Sequence, residues 1–264
     1  MIVLIRGAGD LATGIALRLF HSGFQVVMTE LAHPMTIRRT VAFSEAIRTG
    51  KTTVEDVTAI RVHTPQEAKN AMEQHLIPVL ADPECLCREI LKPDALVDAI
   101  LGKKNLGAKL TDAPVVIGVG PGFTAGIDCH AVVETMRGHT LGRAIYDGPA
   151  LPNTNIPGLI GGFAGERVLR APADGIFHTE AQIGDHVKEG DIVGYVGDQP
   201  MHSTISGVLR GLIADGTPVC QGLKSGDVDP RNDASYCTTS SDKALAIGGG
   251  VLEAILFFGK YLSH

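Results

Sequence analysis

The sequence has no tryptophan, and aromatic residues make up only 5% of it, so aliphatic side chains must fill whatever core it builds. Cysteine is scarce too. The five present (Cys85, Cys87, Cys129, Cys220 and Cys237) are odd in number and irregularly spaced, which excludes a disulfide framework. There is no basic excess. With 23 Lys and Arg against 29 Asp and Glu, the formal charge is −6, and nothing in that balance attracts nucleic acid or an anionic membrane. The longest apolar run, Ala244 to Phe258, falls short of the roughly 18 residues of a membrane span and is interrupted by Glu253. The opening residues lack a basic region followed by a long apolar stretch and a cleavage site, so no secretory signal is expected and the expected location is cytoplasmic.

What is present is an ordinary globular composition, 44% apolar and 20% charged, over 264 residues, enough for one large or two modest domains. Glycine is abundant at 32 residues, which implies many tight turns or places of close backbone approach. Ile2–Ile5 reads as a buried parallel strand. A glycine loop follows, then a helical pattern carried by Ile15, Leu17, Leu19 and Phe20 that ends at Ser22-Gly23. Gln25–Thr29 reads as a second strand, ending at Glu30, which completes a βαβ opening. Arg61–His63, Pro78–Ala81, Ala95–Ile100 and Pro114–Gly118 are further strand candidates, Gln66–His75 is a helix candidate, and a helix is expected over Cys129–Met136. The alternation predicts an α/β fold with a Rossmann-like, mostly parallel sheet.

From about Arg167 helical periodicity stops and short β-type runs alternate with Gly-Asp turns. Gly175, Gly184, Val187 and Gly190 recur 32 residues later as Gly207, Gly216, Val219 and Gly222. Two matching β half-motifs packed face to face make a small barrel-like sandwich, predicted over about 167–223. A final apolar helix is expected from Ser241-Asp242 to about Phe258, packed on the N-terminal sheet with Gly248–Gly250 at a close backbone contact. The expected organisation is 1–165 as the Rossmann-like domain, 166–232 as an inserted β domain, and 233–264 returning to the first.

Gly7-x-Gly9-x-x-Ala12, between a strand and a helix, fits the dinucleotide fingerprint, and Glu30 lies where an acid takes a ribose hydroxyl. Asp10 argues the other way, because its carboxylate repels a pyrophosphate or caps the amides that would bind one. A second loop carries Gly118, Gly120, Gly122 and Phe123, and its backbone amides can also approach an anion. Two such loops at the carboxyl edge of one sheet suggest a shared pocket; the alternative is glycine serving turns alone. His130 and Glu134, four apart, would share a helix face at the pocket edge. Cys129 and His130 have no further Cys/His partners at fixed spacing, so no metal site is expected. Cys85 and Cys87 are expected as two packed thiols, since neither helix nor strand brings such a pair together. Lys224, Asp227, Asp229 and Arg231 crowd a loop that is either a solvated turn with internal ion pairs or the lining of a site.

GAGDLATG at 7–14, VGPGFTAGIDCHAVVETMRGH at 119–139, RVLRAPADG at 167–175, GLKSGDVDPR at 222–231 and DKALAIGGGVLEAIL at 242–256 together resemble the YqeB-type accessory proteins of selenium-dependent molybdenum hydroxylase systems. The resemblance implies an accessory role in maturing such a hydroxylase, with the hydroxylase and other maturation proteins as partners, and it supplies no catalytic set. The β region also resembles the biotinyl/lipoyl fold (a barrel-sandwich hybrid). Its stretch from Gly197 to Ser203, where that fold presents a modified lysine, contains none, so no covalent lipoate or biotin is expected. The leading expectation is a maturation factor binding a nucleotide-like or molybdopterin-dinucleotide ligand at the two glycine loops, with Gly7, Gly9, Asp10, Glu30, Gly118, Gly120, Gly122, Phe123, His130, Glu134, Lys224, Asp227 and Arg231 as candidate binding residues. The alternatives are an NAD(P)-dependent oxidoreductase and a ligand-free scaffold. Whether the chain catalyses a reaction, and whether it self-associates, stay open at this stage.

Overall fold

The aliphatic run Ile2–Arg6 forms strand β1 in the computed structural model, which describes residues 1–154 and 157–259. Leu4 enters one core while Val3 and Ile5 turn to the opposite face, so a strand buried on both sides has no polar alternation. Helix α1 (Asp10–His21) and β2 (Gln25–Glu30) follow. Then come α2 (Glu45–Thr49), β3 (Lys51–Val54), β4 (Val57–Val62), α3 (Pro65–Glu73), β5 (Ile77–Ala81), α4 (Arg88–Leu91), β6 (Ala95–Asp98), β7 (Val115–Val119), β8 (Thr124–Ala125), β9 (Ala131–Val133), β10 (Ala144–Ile145), β11 (Gly148–Pro149) and, at the far end, α5 (Asp242–Gly259). One mixed sheet runs in the order β10-β9-β7-β6-β1-β2-β5-β4-β3. Its interior pairings are all parallel, and its edge strands β3 and β10 are antiparallel.

The chain divides into two units: Met1–Pro34, Ala42–Thr154 and Ser240–His264 in the first, Met35–Val41 and Asn155–Thr239 in the second. Of the expected C-terminal segment, residues 260–264 lie outside the described residues. Among those described, no helix is long and apolar enough to cross a membrane.

Two expectations for the first unit need correction. No helix forms over 129–136. Ala131–Val133 is instead strand β9, parallel to β7, and the crossover of residues 120–130 contains no helix. Adjacent valines stiffened at χ1 suit a strand buried on both faces better than a helix. Asp128 tightens the crossover by accepting the amide of Thr124 at 2.8 Å. The second correction concerns α5. Ser241 caps it, accepting the Ala244 amide at 3.2 Å, and the helix lies along α1 as well as over β7, β9 and β10. The close contacts are at Gly248 and Gly250, where an added Cβ would stand 2.7 Å from the Gly14 carbonyl oxygen and 2.0 Å from that of Gly142. Gly249, expected among them, has nothing near its missing side chain.

The second unit consists of β12 (Val168–Arg170), β13 (Gly175–Thr179), β14 (His186–Val187), β15 (Ile192–Val196), β16 (Gln199–His202), β17 (Gly207–Leu212), β18 (Pro218–Val219) and β19 (Lys224–Asp229). They make two antiparallel four-stranded sheets, β12-β19-β17-β14 and β16-β15-β13-β18. The 32-residue offset of the sequence maps β13 onto β17, β14 onto β18 and β15 onto β19. Pairing follows the same offset. Phe177 faces Val196 as Leu209 faces Val228, and Gly175 faces Val219 as Gly207 faces Val187. Phe177, Val193, Leu209, Leu212 and Val228 share one apolar core. The segment 35–41, far away in sequence, joins this unit through the Leu212 amide, which donates to the Ile37 carbonyl at 2.8 Å. Residues 224–229, expected in a loop, form the strand β19 between β12 and β17.

Candidate functional site

The chain leaves β1 for β2 on one side and only later reaches β6 on the other, so the loops after β1 and β6 diverge from neighbouring carboxyl ends. A crevice at such a switch point is where open α/β sheets bind ligands. Gly7 begins the first loop with φ +100°, and a Cβ there would stand 3.0 Å from the Ala99 carbonyl oxygen, so only glycine lets these loops touch. Glu30 is brought to this loop, but its carboxylate takes backbone donors: the Ala8 amide at 3.0 Å and the Leu31 amide at 2.8 Å. Carboxylate oxygens accept more than one bond each, so Glu30 retains capacity for a hydroxyl. Gly9 is the N-cap of α1, in extended conformation, and so brings no side chain to the helix start, while Asp10 occupies the first turn. The start of α1 carries the positive end of the helix dipole at this edge of the sheet.

Gly120 and Gly122 emerge from β7 at the same sheet edge, but β6 and its following loop stand between them and Gly7. Chain contacts use this second glycine set. A Cβ at Gly118 would lie 2.4 Å from the buried Phe123 ring, one at Gly120 2.8 Å from the Thr135 hydroxyl, and one at Gly122 2.4 Å from the Lys104 Cα. Phe123 is thus a core residue seated on Gly118.

His130 and Glu134 share no helix face, because they flank strand β9 at its two ends. Glu134 is buried, and backbone amides satisfy it: Thr135 and Met136, each at 2.7 Å, and Leu151 at 2.8 Å. The His130 Nδ1 accepts the Val116 amide at 3.0 Å, which requires a neutral ring. Burial pushes its pKa down. A depressed histidine binds protons more readily unfolded than folded, so its contribution to stability is complete above the unfolded value of about 6.5 and is lost as pH falls below it. His130→Asn, which keeps an acceptor and does not titrate, should therefore flatten the dependence of Tm on pH between 7 and 5. An unchanged slope refutes the assignment.

Sequence reasoning missed the buried charges at this edge. Arg6, ending β1, pairs with Asp98, ending β6, at 3.1 Å and donates to the Leu106 carbonyl at 3.0 Å and the Pro83 carbonyl at 3.2 Å. It ties the loops after β5 and β6 to β1. Burial raises the Asp98 pKa, and Arg6 offsets this only in part. A cavity of about 250 Å³ opens beside Arg6, lined also by Cys85, Arg88, Leu96, Leu106 and Asp112. The sequence signal was present but unread: a charged residue closes each of two apolar strands. Among the described residues no group of three or more His, Cys, Asp or Glu is placed to hold a metal.

In the second unit Lys224 is exposed at the start of β19, while Asp227 and Arg231 belong to an ion network. Asp227 accepts from Arg167 at 3.1 Å and from Arg210 at 3.0 Å, and Asp229 accepts from Arg210 at 2.9 Å and from Arg231 at 2.6 Å. The Arg231 guanidinium lies 4.3 Å from the centroid of the Tyr236 ring. Of the two alternatives for this segment, internal ion pairing is the one observed, on a strand rather than a solvated turn.

No family model matches the chain. It is 52% identical over 255 residues, 97% of its length, to the Escherichia coli K12 protein named "Uncharacterized protein YqeB". It spans about half of that relative, covering 47% of it. Among solved structures, a succinylglutamate desuccinylase from a Silicibacter species is 14% identical, with 86% of this chain and 84% of that one aligned and a TM-score of 0.26. An aspartoacylase family protein from Mesorhizobium loti is 14% identical, with 76% and 83% aligned and a TM-score of 0.25.

Proposed function

We propose that this protein binds a nucleotide-type ligand with a diphosphate, a dinucleotide or molybdopterin dinucleotide, at the carboxyl edge of its nine-stranded sheet, and acts as an accessory factor in maturing a selenium-dependent molybdenum hydroxylase. One observation carries the ligand reading. A glycine turn at the switch point between β1 and β6 leads into a helix whose N-cap residue, Gly9, has no side chain. In this reading the first unit is Rossmann-like, the diphosphate lies over the first amides of α1, and Glu30 receives a ribose hydroxyl on its remaining lone pairs. The second loop shapes the edge without contributing its glycines, which chain contacts occupy. The hydroxylase as client rests on the resemblance of the sequence motifs to the YqeB-type accessory proteins. The second unit, read as a lipoyl-like barrel-sandwich hybrid, serves as a docking module. Its Gly197-Asp198 turn and β16 offer no lysine for a covalent arm.

Thermal unfolding with NAD, NADP, nucleoside diphosphates and molybdopterin dinucleotides tests the ligand. A bound species at a hundred times its Kd adds about 2.7 kcal/mol, a shift of several degrees for a domain of this size. A shift with NAD or NADP alone favours the oxidoreductase reading; no shift with any of them overturns ligand binding at this edge. Asp10→Asn should leave the shift equal or larger, since it removes a negative charge from the first turn of α1. For the client, hydroxylase purified from a host lacking this chain should be inactive and cofactor-deficient. Fully active hydroxylase contradicts the role.

A further inference from the structure

We propose that the cavity beside Arg6 is a subsite for a 2-amino-4-oxopyrimidine ring, the ring that guanine and the pterins share. This deepens the nucleotide reading above and rests on it for the link to a diphosphate. Arg6, in the cavity wall, ends β1 and is followed directly by Gly7 and the turn into α1. The cavity and the start of α1 thus neighbour each other along one short stretch of chain. The volume of about 250 Å³ is below the roughly 300 Å³ at which pockets for drug-sized molecules begin, so it suits one ring system rather than a whole dinucleotide.

Charge narrows the choice. The lining sets Arg6 and Arg88 against Glu84 and Asp112, and a balanced wall favours a neutral ring over a phosphate or an ammonium. Arg6 is largely spent on Asp98 and on the Pro83 and Leu106 carbonyls. Arg88 and Asp112 are not. Arg88 gives Nη1 to the Glu84 and Cys85 carbonyls at 3.1 and 3.0 Å, and its Nη2 has no hydrogen-bond partner among the described residues. Asp112 accepts the Lys109 amide on Oδ2 at 2.8 Å, while its Oδ1 stands 3.6 Å from the Arg88 Nε, too far for a hydrogen bond. One wall therefore holds carboxylate acceptors beside guanidinium donors. The complementary edge is two adjacent donors next to an acceptor. The amino group, ring N–H and carbonyl of a 2-amino-4-oxopyrimidine follow in that order, whereas adenine and cytosine place a ring-nitrogen acceptor where the N–H is needed. Leu96, which is buried, and Leu86 and Leu106, which are exposed, give the ring faces apolar surface. On the face that Arg6 shares with its β2 partner Thr29, the Thr29 hydroxyl is buried without a hydrogen-bond partner, so polar capacity at this corner goes unused by the chain.

Ligands without a phosphate isolate this subsite. In equilibrium dialysis with the full chain, guanosine or 6-hydroxymethylpterin should be retained, and the tighter of the two identifies the source of the ring. The partners that lack the 2-amino donor, inosine and 6-hydroxymethyllumazine, should bind at least about tenfold more weakly, as should adenosine. Asp112→Asn keeps an oxygen for the Lys109 amide but exchanges one acceptor for a donor, and should weaken the tighter ligand by about tenfold or more. The assignment is overturned if neither ring is retained at millimolar concentration, if a comparator binds as tightly, or if Asp112→Asn leaves the affinity unchanged. Should that variant fail to fold, the comparators decide alone. Equal Tm shifts with GDP and UDP, and no retention of guanosine, would keep the diphosphate at α1 and remove the ring subsite. Retention of guanosine with no gain from its diphosphate would keep the ring and remove the diphosphate.

Discussion

Replacing Asp229 with alanine should destabilise the protein by about 3–5 kcal/mol, the range for removing one member of a buried ion pair. Asp229 is fully buried on β19 and receives Arg210 from one side and Arg231 from the other. Its loss leaves the buried Arg210 with Asp227 alone, which Arg167 already shares. Urea unfolding monitored by far-UV circular dichroism gives the number. A loss below about 1 kcal/mol, the level of an exposed pair, would contradict a closed buried network. Replacing Arg210 and Asp229 together by apolar residues should recover part of the loss, because two desolvated charges disappear at once. The acid limb carries the same information. Burial alone would raise the Asp229 carboxyl, but the hydrogen bonds from Arg231 and the charges of Arg210 and Arg231 outweigh it and hold the group below the usual range. A depressed carboxyl gives stability that is present above the unfolded value of about 3.9 and is lost as pH falls through the lower folded value. Asp229→Asn should show a weaker fall in stability over that window.

Two adjacent glycines of α5 should respond in opposite directions. Gly250→Ala places a methyl 2.0 Å from the Gly142 carbonyl oxygen, a backbone atom that moves only with its loop. Overpacking of this kind costs about 1–3 kcal/mol, against which alanine returns up to about 1 kcal/mol of helix propensity. Gly249→Ala meets nothing and should keep the whole propensity gain, raising stability by up to about 1 kcal/mol. Equal effects at the two positions would mean that α5 is rotated from the orientation described. Gly248 should follow Gly250, since Gly14 and Arg18 of α1 lie within 3 Å of its missing Cβ.

The rotation of α5 illustrates what periodicity leaves undetermined. A run as apolar as Ala244–Phe258 announces a buried helix, and three glycines in a row announce a close contact, but not which of the three faces α1. The same limit explains the helix expected over 129–136. The spacing of His130 and Glu134 fits a helix face, but a strand buried on both sides between β7 and β10 selects the two valines. The candidate site was legible where it is local. The turn at Gly7 and Gly9, the helix after it and the proximity of Glu30 follow from one short βαβ stretch.

The sequence by itself determined the mostly parallel sheet, because continuous aliphatic runs such as Ile2–Ile5 satisfy only a strand covered on both faces. It also determined the duplication of the second unit, because a pairing register repeats whenever the residues setting it repeat at a constant offset. Tertiary structure alone decided the rest. Whether Glu30 faces a ligand or the Ala8 amide, and whether Asp227 and Asp229 are solvated or closed around arginines, depend on partners dozens of residues away. The physical reason is the same each time. A side chain's local pattern fixes which way it points, but its charge state and chemistry follow from the atoms that long-range packing sets against it.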